Sequence, residues 1–256
     1  MGVELKKEWL YSTRSGKAFI LLMSILFLAV LTPIMLKVIL PEILLWQFPE
    51  MPQASIDAMI NASQQTSITG FLSDLFELGL IIIVFTLGGS MALELSENTL
   101  VFPLISNKKI SHIILSKVIY LSGLLALMLM VSIVVNYAYA GLLFEFDVEM
   151  LDVIVSGLLM SLYFMFVIAN IIFWGVLLKR SIPASFMSLL VCYLVSVLSG
   201  LFNIHQYTPS GLVNYASTLT FSSNDVLMSV GITSVIIIIL VVVSIKRVEK
   251  MELNTR

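Results

Sequence analysis

Six apolar blocks, each long enough to cross a bilayer, dominate this sequence and constrain what it can become. They cover about residues 18–39, 71–93, 117–140, 151–178, 183–201 and 227–245. A hydrocarbon layer about 30 Å thick takes about 20 helical residues per crossing. Only 12% of residues are charged, against about 25% in a soluble domain, so too few polar side chains exist to cover a water-soluble globule. The expectation is an all-α integral membrane protein: six transmembrane helices forming a single transmembrane domain over residues 1–256, with no room for a separate soluble enzyme domain.

Positive charge is retained on the cytoplasmic side of a membrane protein. With six crossings, every Lys and Arg except Lys37 falls on one side: before span one, between spans two and three, after span four, and in the tail. Both termini are therefore expected in the cytoplasm. The amino terminus carries acids as well as bases and no small-residue cleavage site follows it, so it reads as retained rather than as a signal peptide. Residues 3–15 mix Leu5, Trp9 and Leu10 with Lys6, Lys7 and Arg14. This suits an amino-terminal interfacial elbow helix, with Ser15-Gly16 bending into span one; an ordinary charged flank is the other reading. Pro33 marks a kink in span one, and Lys37 can snorkel outward. The outer stretch 41–69 reads as a polar loop in which Ile56, Met59 and Ile60 suggest a short surface helix.

Catalytic constellations are scarce. His112 and His205 are separated by a membrane thickness, Cys192 is the only cysteine, and no HExxH or phosphate-cradling GxxxxGK[ST] is present. No metal site, disulfide or ATP site is expected in this chain. A net charge of −2 provides no basic field for nucleic acid. Ionisable groups within spans are functional candidates, which singles out Asp74 and Glu77, one turn apart in span two. They line a cation-attracting vestibule, or span two begins near Leu78 and both are solvated. Asn136 and Asn170 are candidates for a polar path or for interhelical hydrogen bonds, and Gly88 with Ala92 forms a small-xxx-small pair.

The most informative polar stretch lies between spans two and three: Glu94-Leu-Ser-Glu97-Asn98-Thr99-Leu100-Val-Phe102-Pro103-Leu-Ile-Ser-Asn107-Lys108-Lys109, continuing to Lys117. Its apolar patch is too short to span and unfavourable to leave in water, so it is either a docking surface or a shallow interfacial segment.

Six spans, a charged amino-terminal segment, a large first outer loop and this turn resemble the permease subunit of ABC-2 type transporters. Glu94 and Glu97 match that family's acids, Thr99-Leu100 its Thr-Leu, Lys108 and Lys109 its basic step, and Lys117 the Lys entering span three. Asn98 stands where Gly is usual, and Ile105-Ser106-Asn107 replaces a Pro-containing step. The resemblance implies a short cytoplasmic coupling helix, built from Glu94, Glu97, Asn98, Thr99, Leu100, Phe102, Lys108 and Lys109, that docks on a separate ABC ATPase subunit. Two ATPase copies and a second permease chain, identical or homologous, would complete the complex. ATP and Mg would be bound by the ATPase, in a bacterial plasma membrane. The alternative is an ion-coupled transporter or channel using Asp74 and Glu77. Acidic outer loops and apolar spans lean toward an amphipathic peptide, toxin or antibiotic-like cargo.

Overall fold

A computed structural model describes residues 2–50, 52, 55, 60–97, 99, 109–221 and 224–253, and every regular element among them is a helix. Helix α1 covers Gly2–Arg14, and six longer helices follow: α2 Lys17–Gln47, α3 Gln64–Ser96, α4 Ile110–Phe144, α5 Met150–Leu178, α6 Ser181–Phe202 and α8 Asn224–Leu253. Between α6 and α8 lie the 3-10 turn His205–Tyr207 and the short helix α7, Ser210–Thr218. The six longer helices are each long and apolar enough to cross a membrane.

The expected spans are present, but their ends move outward. The polar stretch 41–69 is not all loop: α2 continues to Gln47 and α3 begins at Gln64. Pro41 follows a π-turn at Met35–Ile39 and occupies the second position of the α-helical segment Leu40–Gln47, where a missing N–H is tolerated. Ile56 and Met59 lie outside the described residues. At the start of α3, the Ser63 hydroxyl accepts the Thr66 N–H at 3.1 Å and caps the helix. Gln64 reads as loop because it is polar, yet it is fully buried. Its amide donates to the Tyr137 carbonyl at 3.0 Å and accepts from the Asp147 and Val148 N–H groups at 2.9 and 3.0 Å. Burial of an amide is tolerable because its hydrogen bonds are made.

Pro33 lies inside α2 and has no N–H for the Ala29 carbonyl one turn back. Asn136 of α4 supplies the missing donor, its Nδ2 standing 2.8 Å from the Ala29 oxygen. The Lys37 ammonium donates to the Leu143 carbonyl at 3.3 Å and lies over the Phe144 ring, so it reaches the end of α4 as a snorkelling cation would.

Helix α5 is the most buried of the six and packs on α4, α6, α7 and α8. Without a hydrophobic driving force in lipid, close packing and interhelical hydrogen bonds hold such helices together. The Gly88 and Ala92 pair does both. A side chain at Gly88 would collide with Ser185 of α6, whose hydroxyl donates to the Val84 carbonyl at 3.2 Å, and Ala92 faces Gly175 of α5. Helix α7, inside a segment the sequence reads only as polar loop, buries Leu212, Val213 and Ala216. Its approach leaves no space for a Cβ at Gly211, which would lie 2.0 Å from the His205 carbonyl oxygen.

Candidate functional site

Helix α1 turns its acids inward. Glu4, Glu8 and Ser12, spaced by four residues, are buried, whereas Val3, Trp9, Leu10 and Tyr11 are exposed. Four-residue spacing keeps a single stripe on one face, and that face packs on α4. Gly16, at φ 73°, makes the turn from α1 into α2, a left-handed conformation that glycine adopts without strain.

Against the acidic stripe stands Lys117, seven residues into α4 and 1% exposed. Its Nζ lies 2.6 Å from Glu8 Oε1 and 3.1 Å from Glu94 Oε1. Glu94, in the last turn of α3, also accepts from Lys7 Nζ at 3.1 Å. Burial alone would lower the Lys7 pKa, but attraction and a hydrogen bond from Glu94, together with attraction from Glu8 and Glu4, more than offset this, and the net direction is upward. Lys7 and Lys117 thus alternate with Glu8 and Glu94 in a charge-balanced cluster joining α1, α3 and α4. A buried ion is tolerable only when paired in this way.

The cluster closes the base of the α3–α4 turn. Beyond it, the Thr99 N–H bonds the Glu94 carbonyl at 3.0 Å and the Thr99 hydroxyl bonds the same oxygen at 3.3 Å. This is the six-to-one closure of a Schellman-type helix end. Thr99 therefore closes the end of α3. Glu97 and Lys109 are exposed at the two shoulders of the turn. Asn98, Leu100, Phe102 and Lys108 lie outside the described residues, as does the body of the expected coupling helix.

The second group of candidates lies deeper. Gln64 and Glu94 mark opposite ends of α3, and Glu77 is thirteen residues from one and seventeen from the other. At 1.5 Å per residue these are about 20 and 26 Å, so Glu77 lies well inside the helix and Asp74 is only one turn away. The two acids nevertheless do not converge. A π-turn, Leu75–Gly79, separates their settings. Asp74 Oδ2 lies 3.0 Å from the Thr32 hydroxyl of α2, whereas Glu77 is exposed beside α6, its backbone carbonyl accepting from the Tyr193 hydroxyl at 2.7 Å.

Asn136 and Asn170 are committed to interhelical bonds. Asn136 serves Ala29, and Asn170 donates to the Ser188 carbonyl at 3.2 Å across α5 and α6. Among the described residues no group of three His, Cys, Asp or Glu is placed to hold a metal ion. Lys7 and Glu8 are the cluster members that sequence reasoning missed. The signal was available: a lysine within an apolar helix requires a carboxylate nearby, and Glu8 belongs to the only acidic stripe in the amino-terminal segment.

Fold and clusters together define an all-helical protein of the multi-pass membrane class. Within that class, the chain belongs to the family DUF2705, described as a protein of unknown function, whose pattern matches residues 30–254. No curated protein and no solved structure matches the chain.

Proposed function

We propose that this chain is the permease subunit of an ATP-driven ABC transporter of the ABC-2 type, with ATP hydrolysed on Mg by a separate cytoplasmic subunit. The observation that carries this reading is the charge cluster at the base of the α3–α4 turn. A turn that only reverses the chain needs no buried lysine bridging acids from two other helices. A turn that receives mechanical load does, because force on residues 97–109 must move α3 and α4 together and not merely bend the connection. Glu94 and Lys117 tie the two helices through an ion pair of 3.1 Å, and Glu8 extends the tie to α1. In this scheme Glu94 and Lys117 position the turn, Thr99 closes the helix behind it, and Leu100 and Phe102 supply apolar contact to the ATPase groove. Closure of two ATPase subunits would then shift α3 and α4 as a unit within a bacterial plasma membrane. An amphipathic peptide, toxin or antibiotic-like compound is the cargo class we assign.

The chain should purify in mild detergent, after expression with its genomic neighbours, together with a stoichiometric nucleotide-binding subunit and nucleotide-dependent ATPase activity. Leu100→Asp should reduce recovery of that subunit at least tenfold while the permease still folds, since a carboxylate would be placed in an apolar contact. Undiminished recovery would count against the docking role. A second reading, a cation-coupled transporter, draws on the position of Asp74 well inside α3. It predicts that Asp74→Asn abolishes transport in vesicles without nucleotide, whereas the permease reading predicts no transport there even in the unmodified protein.

A further inference from the structure

Glu77 is in the wrong solvent for the chain as it stands alone. It lies about 20 Å along α3 from Gln64, and the α6 contact points to a position well inside the crossing: Tyr193, which reaches the Glu77 carbonyl, is twelve residues into the 22-residue helix Ser181–Phe202. A glutamate side chain is too short to snorkel from such a position to either interface. Yet Glu77 is exposed, and no hydrogen bond or ion pair to its carboxyl group is found among the described residues. Exposed apolar side chains flank it on both sides: Leu78 and Ile81 line a groove between α3 and α2 with Met23 and Phe27, and Leu190, Leu194 and Val197 are exposed on α6. An ionisable group at this depth belongs against protein or water, not lipid.

The chain cannot supply the counter-charge itself. Thirteen of the fourteen Lys and Arg residues lie in the amino-terminal segment, at or near span ends, in the turn or in the tail; the other, Lys37 within α2, turns its ammonium to the Leu143 carbonyl at the end of α4. A second identical copy meeting this face symmetrically would oppose the same patch to itself, because a two-fold contact is self-complementary. That would bring carboxyl toward carboxyl. The nearby hydroxyl of Tyr193 already gives its proton to the Glu77 carbonyl.

We infer that the α3–α6 face centred on Glu77 is an intramembrane interface with a different polypeptide, one that presents a Lys or Arg side chain from the middle of its own span. Charge complementarity fixes that chemistry: the patch offers one unpaired carboxyl within an apolar rim. The inference deepens the permease reading, on which it rests for the presence of a second membrane chain, by making that chain non-identical. Pairing of this kind also specifies the partner, since an unmatched carboxyl in either homodimer or lipid is disfavoured.

The test places a photo-crosslinking phenylalanine analogue at Leu78, with Leu127 on α4, also exposed in the chain, as the control position. The full chain is expressed with its genomic neighbours, irradiated in native membranes and analysed by mass spectrometry. The Leu78 probe should join a distinct polypeptide at a span containing Lys or Arg, and the Leu127 probe should not. Glu77→Gln, which preserves shape, should lower the crosslink yield at least fivefold. Glu77→Lys should abolish it, and exchanging the partner's basic residue for Glu should restore it. Crosslinks only to a second copy, only to lipid, or unaffected by Glu77→Gln would overturn the inference. Two identical copies recovered with an ATPase would leave the permease reading intact and remove this one. A distinct basic partner recovered without an ATPase would do the reverse.

Discussion

Lys117→Met should destabilise the protein by about 3–5 kcal/mol, the range for removing one partner from a buried ion pair. The magnitude follows from burial. The Lys117 and Glu8 side chains are 2% and 6% exposed and Glu94 is 18% exposed, so loss of the ammonium strands one carboxylate completely and leaves the other to Lys7 alone. Lys7 is 43% exposed, and its pair with Glu94 resembles a surface contact worth about 0–1 kcal/mol. Lys7→Met should therefore have a small effect. Combining Lys117→Met with Glu8→Gln and Glu94→Gln should recover most of the loss, because the uncompensated charges are gone. Denaturant unfolding in detergent micelles measures all three variants. A Lys117→Met protein as stable as the parent would show that the cluster does not hold α1, α3 and α4 together. If stability recovers in the triple variant while ATPase coupling does not, the charges serve the turn's mechanics beyond folding.

The second large effect is expected at Asn136. Asn136→Leu keeps the volume and removes the side-chain donor to the Ala29 carbonyl beside Pro33, with an expected cost of about 1–2 kcal/mol for a buried acceptor that loses this partner. Pro33→Ala restores a backbone N–H to α2. In that background Asn136→Leu should cost much less, with a coupling of about 1 kcal/mol in a double-mutant cycle. Additive effects would instead mean that Asn136 acts through something other than the proline gap. This assignment makes Asn136 a structural complement to Pro33 on another helix, and a polar path residue only if transport fails in a variant whose stability is restored.

Much of the fold was legible because lipid imposes a simple condition on composition. Long apolar blocks in the sequence became the six long helices, and the break at Lys179-Arg180 became the two-residue link between α5 and α6. The helix ends were not legible. Gln64 and the residues after it look like loop until Tyr137, Asp147 and Val148 arrive to satisfy the amide, and Pro41 looks like a stop until a π-turn precedes it. The candidate site was half legible. Glu94 and Lys117 stood out in the turn, but their direct contact, and the third helix that completes it, depend on how α1 folds back past Gly16.

Asp74 and Glu77 show the same division. Their one-turn spacing is a property of the chain, while their divergence, Asp74 toward Thr32 and Glu77 toward the exposed α6 side, comes from a π-turn and from neighbouring helices. What the sequence alone determined is what local composition controls: the solvent each segment prefers, the number of crossings and the asymmetry of positive charge. Which polar groups meet was decided only by tertiary structure, because a buried charge or amide is tolerated where partners distant in sequence converge on it, and no local pattern records that convergence.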